Sequence, residues 1–163
     1  MSGDSSVIRG TCHCGAVKAE MRLTAPADGI VLRRCPCSFC RRTGALAYSD
    51  PDGRAHLTAR ADDLTIYQFG EGACDFLLCR NCGVFVAAVS GDTETQRCVL
   101  NVAGLDPDLA QDCANVPLEA AGEDRSGRKQ RHASRWTPIT FSDPRIPHRL
   151  KTLTPPLQAA GSV

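Results

Sequence analysis

Three short cysteine motifs constrain this chain more than anything else in it: Cys12-His13-Cys14, Cys35-Pro36-Cys37-Ser38-Phe39-Cys40 and Cys79-Arg80-Asn81-Cys82. They hold seven of the ten cysteines in 163 residues. Thiols two or three residues apart are the pattern of metal ligands. Whatever fold forms must bring such corners together across long stretches of sequence. Aromatic residues are only 5% of the chain, a thin stock for a large core, and small cores often need metal staples.

Disulfides are the competing use of cysteine. The polar start Met1-Ser2-Gly3-Asp4-Ser5-Ser6 lacks the basic and apolar regions of a signal peptide. The expected compartment is the cytoplasm, where thiols stay reduced, which favours zinc over disulfides. No apolar run reaches membrane-spanning length. A formal charge of +1 gives no global field towards nucleic acid or a membrane.

Short strands dominate the rest. Val17, Ala19, Met21 and Leu23 alternate with Lys18, Glu20 and Arg22, the period of a half-buried strand. Further strands are expected at 7–10, 30–35, 45–48, 56–59, 64–69, 74–78, 84–89, 98–102 and 136–141. Turn clusters such as Ser49-Asp50-Pro51-Asp52-Gly53 separate them. Residues 103–117 read as irregular or as one short helix. The basic stretch from Gly122 to Arg135 reads as a solvated loop. The prolines at 144, 147, 155 and 156 argue for an extended tail over 142–163. The class is mainly β. One domain is expected over 1–163, its zinc-bearing part over about 9–141.

Two partitions of the motif cysteines are open. A strand places i and i+2 on one face, so each CxC can aim its two sulfurs together, with His13 pointing away. Cys12, Cys14, Cys79 and Cys82 would make a closed four-thiolate site, which is structural. Alternatively Cys35, Cys37, Cys79 and Cys82 would close one site. Under the first partition Cys35, Cys37 and Cys40 form a three-cysteine corner with one position left over. Ser38 is the expected N-cap of a short helical turn, with Cys40 in the first turn where exposed N–H groups favour a thiolate. Cys74, Cys98 and Cys113 read as apolar buried thiols.

Gly10-Thr-Cys-His-Cys-Gly-Ala-Val17, Cys35-Pro-Cys-Ser-Phe-Cys-Arg-Arg-Thr-Gly44 and Phe76-Leu-Leu-Cys-Arg-Asn-Cys-Gly83 together resemble the glutathione-dependent formaldehyde-activating enzyme family, which is also grouped with centromere protein V. The resemblance spans about residues 9–105. It implies an Mss4-like β-tent of twisted antiparallel sheets. It implies two Zn2+ ions, a structural one on Cys12, Cys14, Cys79 and Cys82 and a catalytic one on Cys35, Cys37 and Cys40. It also implies a carbon–sulfur lyase activity like that of S-(hydroxymethyl)glutathione synthase, joining a thiol such as glutathione to formaldehyde or a related small aldehyde.

A three-thiolate zinc is already anionic and a weak Lewis acid. Thiol activation therefore suits it better than carbonyl polarisation. Arg41 and Arg42 are candidates to hold substrate carboxylates. The competing reading is a non-catalytic zinc module that binds a protein or nucleic acid through the basic residues 125–135. Near-neutral charge and the lack of interleaved aromatics in that stretch weigh against nucleic acid.

Overall fold

Alternating burial sets the first arm of the molecule. In the hairpin of β1 (Val7–Thr11) and β2 (Lys18–Arg22), Ile8, Ala19 and Met21 are buried while Lys18 and Arg22 face water. That is the period of two carried by the sequence. The computed structural model describes residues 6–92 and 94–151.

The other strands are β3 (Val31–Arg34), β4 (Ala47–Tyr48), β5 (Arg54–Thr58), β6 (Leu64–Tyr67), β7 (Asp75–Cys79), β8 (Phe85–Ser90), β9 (Arg97–Asn101), β10 (Ala114–Pro117) and β11 (Thr137–Phe141). All eleven belong to one sheet. β9 is its branch point. One edge of β9 pairs with β8 over residues 97–100, which continues to β7 and β6. Its other edge is divided: Arg97 and Cys98 meet β11, and Leu100 and Asn101 meet β4. From β11 the sheet runs through β5 and β2 to β1, and from β4 through β3 to β10.

The class is mainly β, as expected, and consistent with an Mss4-like fold. The sheet is mixed where antiparallel sheets were expected, because β3–β10 and β5–β11 are parallel. The strands met in these pairs return after long excursions through other elements, which leaves room for a parallel approach.

Three stretches differ from the sequence reading. Residues 103–117 contribute helices α2 (Val102–Leu105) and α3 (Pro107–Asp112), followed by β10. The basic stretch expected as a loop is helix α4 (Arg125–Arg135), capped by the Asp124 carboxylate, which accepts from Gly127 N–H at 2.7 Å. The stretch expected as an extended tail holds helix α5 (Arg145–Lys151), with Ile146 and Leu150 buried. Pro147 lies in its first turn, where a missing N–H breaks no helical bond. The rest of the expected tail, 152–163, lies outside the described residues.

Two apolar clusters result. The larger includes Ile8, Met21, Leu57, Leu77, Leu100 and Ile146. The smaller includes Cys40, Ala45, Phe76, Phe85, Ala88 and Trp136. Asp50 crosslinks the turn after β4. It accepts from Thr24 N–H at 2.7 Å and Thr24 O–H at 2.8 Å, and its own N–H donates to the Thr137 hydroxyl at 2.7 Å. Burial pushes against ionisation there, but these bonds outweigh it and hold the carboxyl below its ordinary value.

Candidate metal centres

The first centre is assembled from two hairpin turns. The chain leaves β1, turns through Cys12 to Gly15 and enters β2. Cys12 N–H donates to Val17 O at 2.9 Å, and Gly15 N–H donates to Cys12 O at 3.0 Å. Gly15 takes φ +81, which a side chain rarely adopts. The two sulfurs therefore meet because the chain turns, and the strand geometry expected for this CxC does not apply. His13 is exposed beside them. The second turn joins β7 to β8. Cys79 N–H donates to Val84 O at 2.9 Å, Gly83 N–H donates to Cys79 O at 2.9 Å, and Gly83 takes φ +79.

These turns bring the sulfurs of Cys12, Cys14, Cys79 and Cys82 within 4.8 Å of one another. Cys12–Cys14 is 3.7 Å and Cys14–Cys79 is 3.6 Å. A tetrahedral thiolate zinc, with Zn–S bonds of about 2.3 Å, spaces its sulfurs about 3.8 Å apart, so the donor set fits that ion. The environment already stabilises negative sulfur. The Asn81 side chain and then Ala16 N–H push the Cys14 thiol down to about 6. Burial pushes Cys79 up to about 12 against the N–H groups of Cys82 and Asn81. Neighbouring sulfurs are pushed in opposite directions, Cys14 towards the thiolate and Cys79 towards the thiol, and a bound cation would draw both to the thiolate form.

The second centre lies at the end of β3. Cys35 follows Arg34, and helix α1 (Ser38–Thr43) begins two residues past Pro36. Cys37, not Ser38, is the N-cap. Its sulfur accepts from Cys40 N–H at 3.4 Å, and Arg41 N–H donates to Cys37 O at 3.1 Å. Gly44, at φ +65, closes the helix. The sulfurs of Cys35, Cys37 and Cys40 lie within 4.8 Å of one another. Among the described residues no fourth His, Cys, Asp or Glu joins them. Of the two partitions left open by sequence, the structure forms the four-plus-three grouping.

Charge is unevenly shared in this trio. Hydrogen bonds from the Cys35 thiol, then the Cys40 thiol, together with the Cys40 and Phe39 N–H groups, hold Cys37 well below the ordinary thiol range. The contact with Cys37 pushes Cys35 up, and contacts with Cys35 and then Cys37 push Cys40 up. Thiolate character thus falls on Cys37, first through the Cys35 and Cys40 thiols and only then through the helix-start N–H groups, where the sequence reading placed it at Cys40.

Aromatic side chains share the apolar cluster of the trio, and sequence reasoning missed them. Phe39, on α1, has its ring centroid 4.6 Å from Phe76, 5.2 Å from Phe85, 5.5 Å from Tyr67 and 6.1 Å from Phe69. These residues come from α1, β6, the turn after it, β7 and β8. Nothing local in the sequence links them, although Tyr67 and Phe69 share a parity on the β6 segment. Tyr67 is 43% exposed. Arg41 and Arg42 are exposed on the last turn of α1, and Arg42 Nη1 donates back to Ser38 O at 3.0 Å. Cys98 is buried, while Cys74 and Cys113 are half-buried. Burial pushes the Cys74 thiol up to about 12. All ten cysteines are free.

Residues 7–117 match the family model described as glutathione-dependent formaldehyde-activating enzyme. The chain is also similar to a crystal structure of a Rhodobacter sphaeroides protein, at 36% identity and a TM-score of 0.52. That match covers 68% of this chain and 98% of the other. Among the described residues no helix is long and apolar enough to cross a membrane.

Proposed function

Because the chain belongs to the glutathione-dependent formaldehyde-activating enzyme family, we propose that it joins a thiol such as glutathione to formaldehyde or a related small aldehyde at Cys35, Cys37 and Cys40. In this reading it is a zinc-dependent carbon–sulfur lyase-type enzyme of the cytoplasm. The observation that supports it is the inequality of the two sulfur groups. Four sulfurs complete a tetrahedral zinc site, whereas three leave one position for a substrate atom.

Cys35, Cys37 and Cys40 would hold a zinc ion, which would supply acidification of a substrate thiol there. The residues around it do the rest. The start of α1 anchors Cys37 through the Cys40 N–H, and so would hold that ligand in place. Phe39, Phe76 and Phe85 exclude water from one side. Arg41 and Arg42 carry the charge to hold carboxylates of the thiol. The net change adds the thiol across the carbonyl of formaldehyde and gives its S-hydroxymethyl adduct. A C–S bond forms, the carbonyl π bond breaks, and the proton lost by sulfur ends on oxygen.

Exchange NMR with 13C-formaldehyde and glutathione tests this. The interconversion of free formaldehyde and adduct should accelerate in proportion to added protein, and Cys37→Ser should abolish the acceleration. A rate equal to the spontaneous one, in protein carrying two zincs, would refute the proposal.

A further inference from the structure

The part of the sheet formed by β6, β7 and β8 has two unlike faces. Its register sets Ile66, Leu77 and Ala87 in one row, on the side of the larger apolar cluster. Tyr67, Phe76 and Ala88 form the next row, on the opposite face. Phe76 and Ala88 belong there to the smaller cluster, against which Cys35, Cys37, Phe39 and Phe69 pack. The three-sulfur centre and these rings therefore occupy the same face of the sheet.

The rings stand in two layers. Phe76 and Phe85 are buried, with centroids 5.6 Å apart. Phe39, Tyr67 and Phe69 form an outer triangle, with centroids 5.5, 5.8 and 6.1 Å apart. Their planes differ by only 22° to 33°, so the three make one continuous apolar surface. None of them is buried: Phe39 and Phe69 are half-buried, and Tyr67 is exposed. Tyr67 and Val31 are the large apolar side chains left exposed among the described residues. A layer of rings left in water gains free energy when something apolar covers it.

This outer layer lies beside the sulfurs. Phe39 is two residues after Cys37, so their Cα atoms are within about 7 Å of each other. Cys40 N–H donates to Cys37 Sγ at 3.4 Å, which holds Phe39 in the turn that carries both sulfurs. Cys35 and Cys37 are only half-buried, so the sulfurs and the outer rings are both reached from solvent.

We propose that Phe39, Tyr67 and Phe69 are a subsite for the carbonyl reactant, and that this reactant is an aldehyde with an aromatic substituent a few bonds from its carbonyl. This rests on reading the three-sulfur centre as a thiol–aldehyde site, and it narrows the second substrate of that site. A thiol such as glutathione is polar and charged, and it gains little from bare rings. Formaldehyde has no substituent to cover them. An aryl group lying on the triangle removes apolar surface of both molecules from water and adds a ring–ring contact. The chemistry is unchanged: the C–S bond forms, the carbonyl π bond breaks, and the thiol proton ends on oxygen.

The test is exchange NMR on full-length, zinc-loaded protein with glutathione and either propanal or 3-phenylpropanal. The two aldehydes share the reacting group, and the second adds one ring. The parent should accelerate adduct formation with 3-phenylpropanal at least about tenfold more efficiently, as kcat/KM, the effect of covering one ring. Tyr67→Ala should shrink that ratio about threefold or more, mainly as a higher KM for 3-phenylpropanal. Tyr67→Phe keeps the ring and should keep the ratio.

Equal acceleration of the two aldehydes, acceleration of formaldehyde alone, or a ratio that survives Tyr67→Ala would overturn the subsite and leave the thiol–aldehyde reading standing. So would a parent that elutes as a dimer which Tyr67→Ala converts to a monomer, since a second copy would then cover the rings. If formaldehyde, propanal and 3-phenylpropanal all react at their spontaneous rates, the thiol–aldehyde reading itself fails and the subsite falls with it.

Discussion

The two sulfur centres are built from similar motifs but set in different surroundings. Cys12 and Cys79 belong to the larger apolar cluster, with Cys82 packed against it. Their turns join the β1–β2 hairpin to the β7–β8 hairpin, so this centre bridges two arms of the sheet. Cys35, Cys37 and Cys40 belong instead to the smaller, aromatic cluster between α1, β7 and β8. The ligand count follows the setting. Where the chain needs a crosslink between remote hairpins, four sulfurs converge. Where it offers an aromatic wall and a short helix, three do. The first is the arrangement of a staple, and the second that of a site with a position to fill.

The largest effect should come from breaking the four-sulfur centre. Cys82→Ser is expected to remove most of the free energy of a structural metal, about 10 kcal/mol. The result should be insoluble or unfolded protein, seen as loss of the soluble fraction and of far-UV dichroism. Cys37→Ser should leave the fold largely intact and release one metal equivalent. Equal losses of stability in the two variants would erase the distinction between the centres.

A smaller effect sharpens the contrast from the aromatic side. Phe39 is the one ring that touches Tyr67, Phe69, Phe76 and Phe85. Phe39→Ala should cost about 3 kcal/mol by emptying that contact. It should loosen the second metal and spare the first. The check is a chelator titration that counts metal release in two steps. A release profile matching the parent's would mean that the aromatic wall does not support the three-sulfur centre.

Sequence made one centre far more legible than the other. The CxC and CxxCG motifs carry their own turn glycines, Gly15 and Gly83, and both take the positive φ that such turns need. The strand of Lys18–Arg22 was readable because one face is buried and the other is wet. The aromatic wall was not readable, because its members at 39, 67, 69, 76 and 85 are joined only by sheet register. Helix α4 was hidden for a different reason. Its inward face is made of Arg128, His132 and Trp136 at its end, so no apolar periodicity marks it. Helix α5 was masked by Pro147, which sequence reasoning takes as a breaker but which the first turn of a helix tolerates.

The mildest test uses a carboxylate found only on the three-sulfur side. Asp75 opens β7 beside Cys74 and is 8% exposed. Burial pushes its carboxyl up to about 6, despite a hydrogen bond from Gln68 Nε2 at 2.6 Å and the charge of Lys129. The folded value lies above the unfolded one of 3.8, so the fold prefers the protonated form. The stabilising term is fully present below about pH 4 and is lost as pH rises through about 6. Asp75→Asn mimics the protonated state. It should raise stability by about 1–2 kcal/mol at pH 7.5, once screening by residual water is allowed for, and change little at pH 4. Denaturant midpoints at the two pH values measure this. A variant less stable than the parent at pH 7.5 would mean that the ionised carboxylate, pulled by Lys129, holds α4 against the aromatic cluster. The second centre would then depend on a charge pair for which the first has no counterpart.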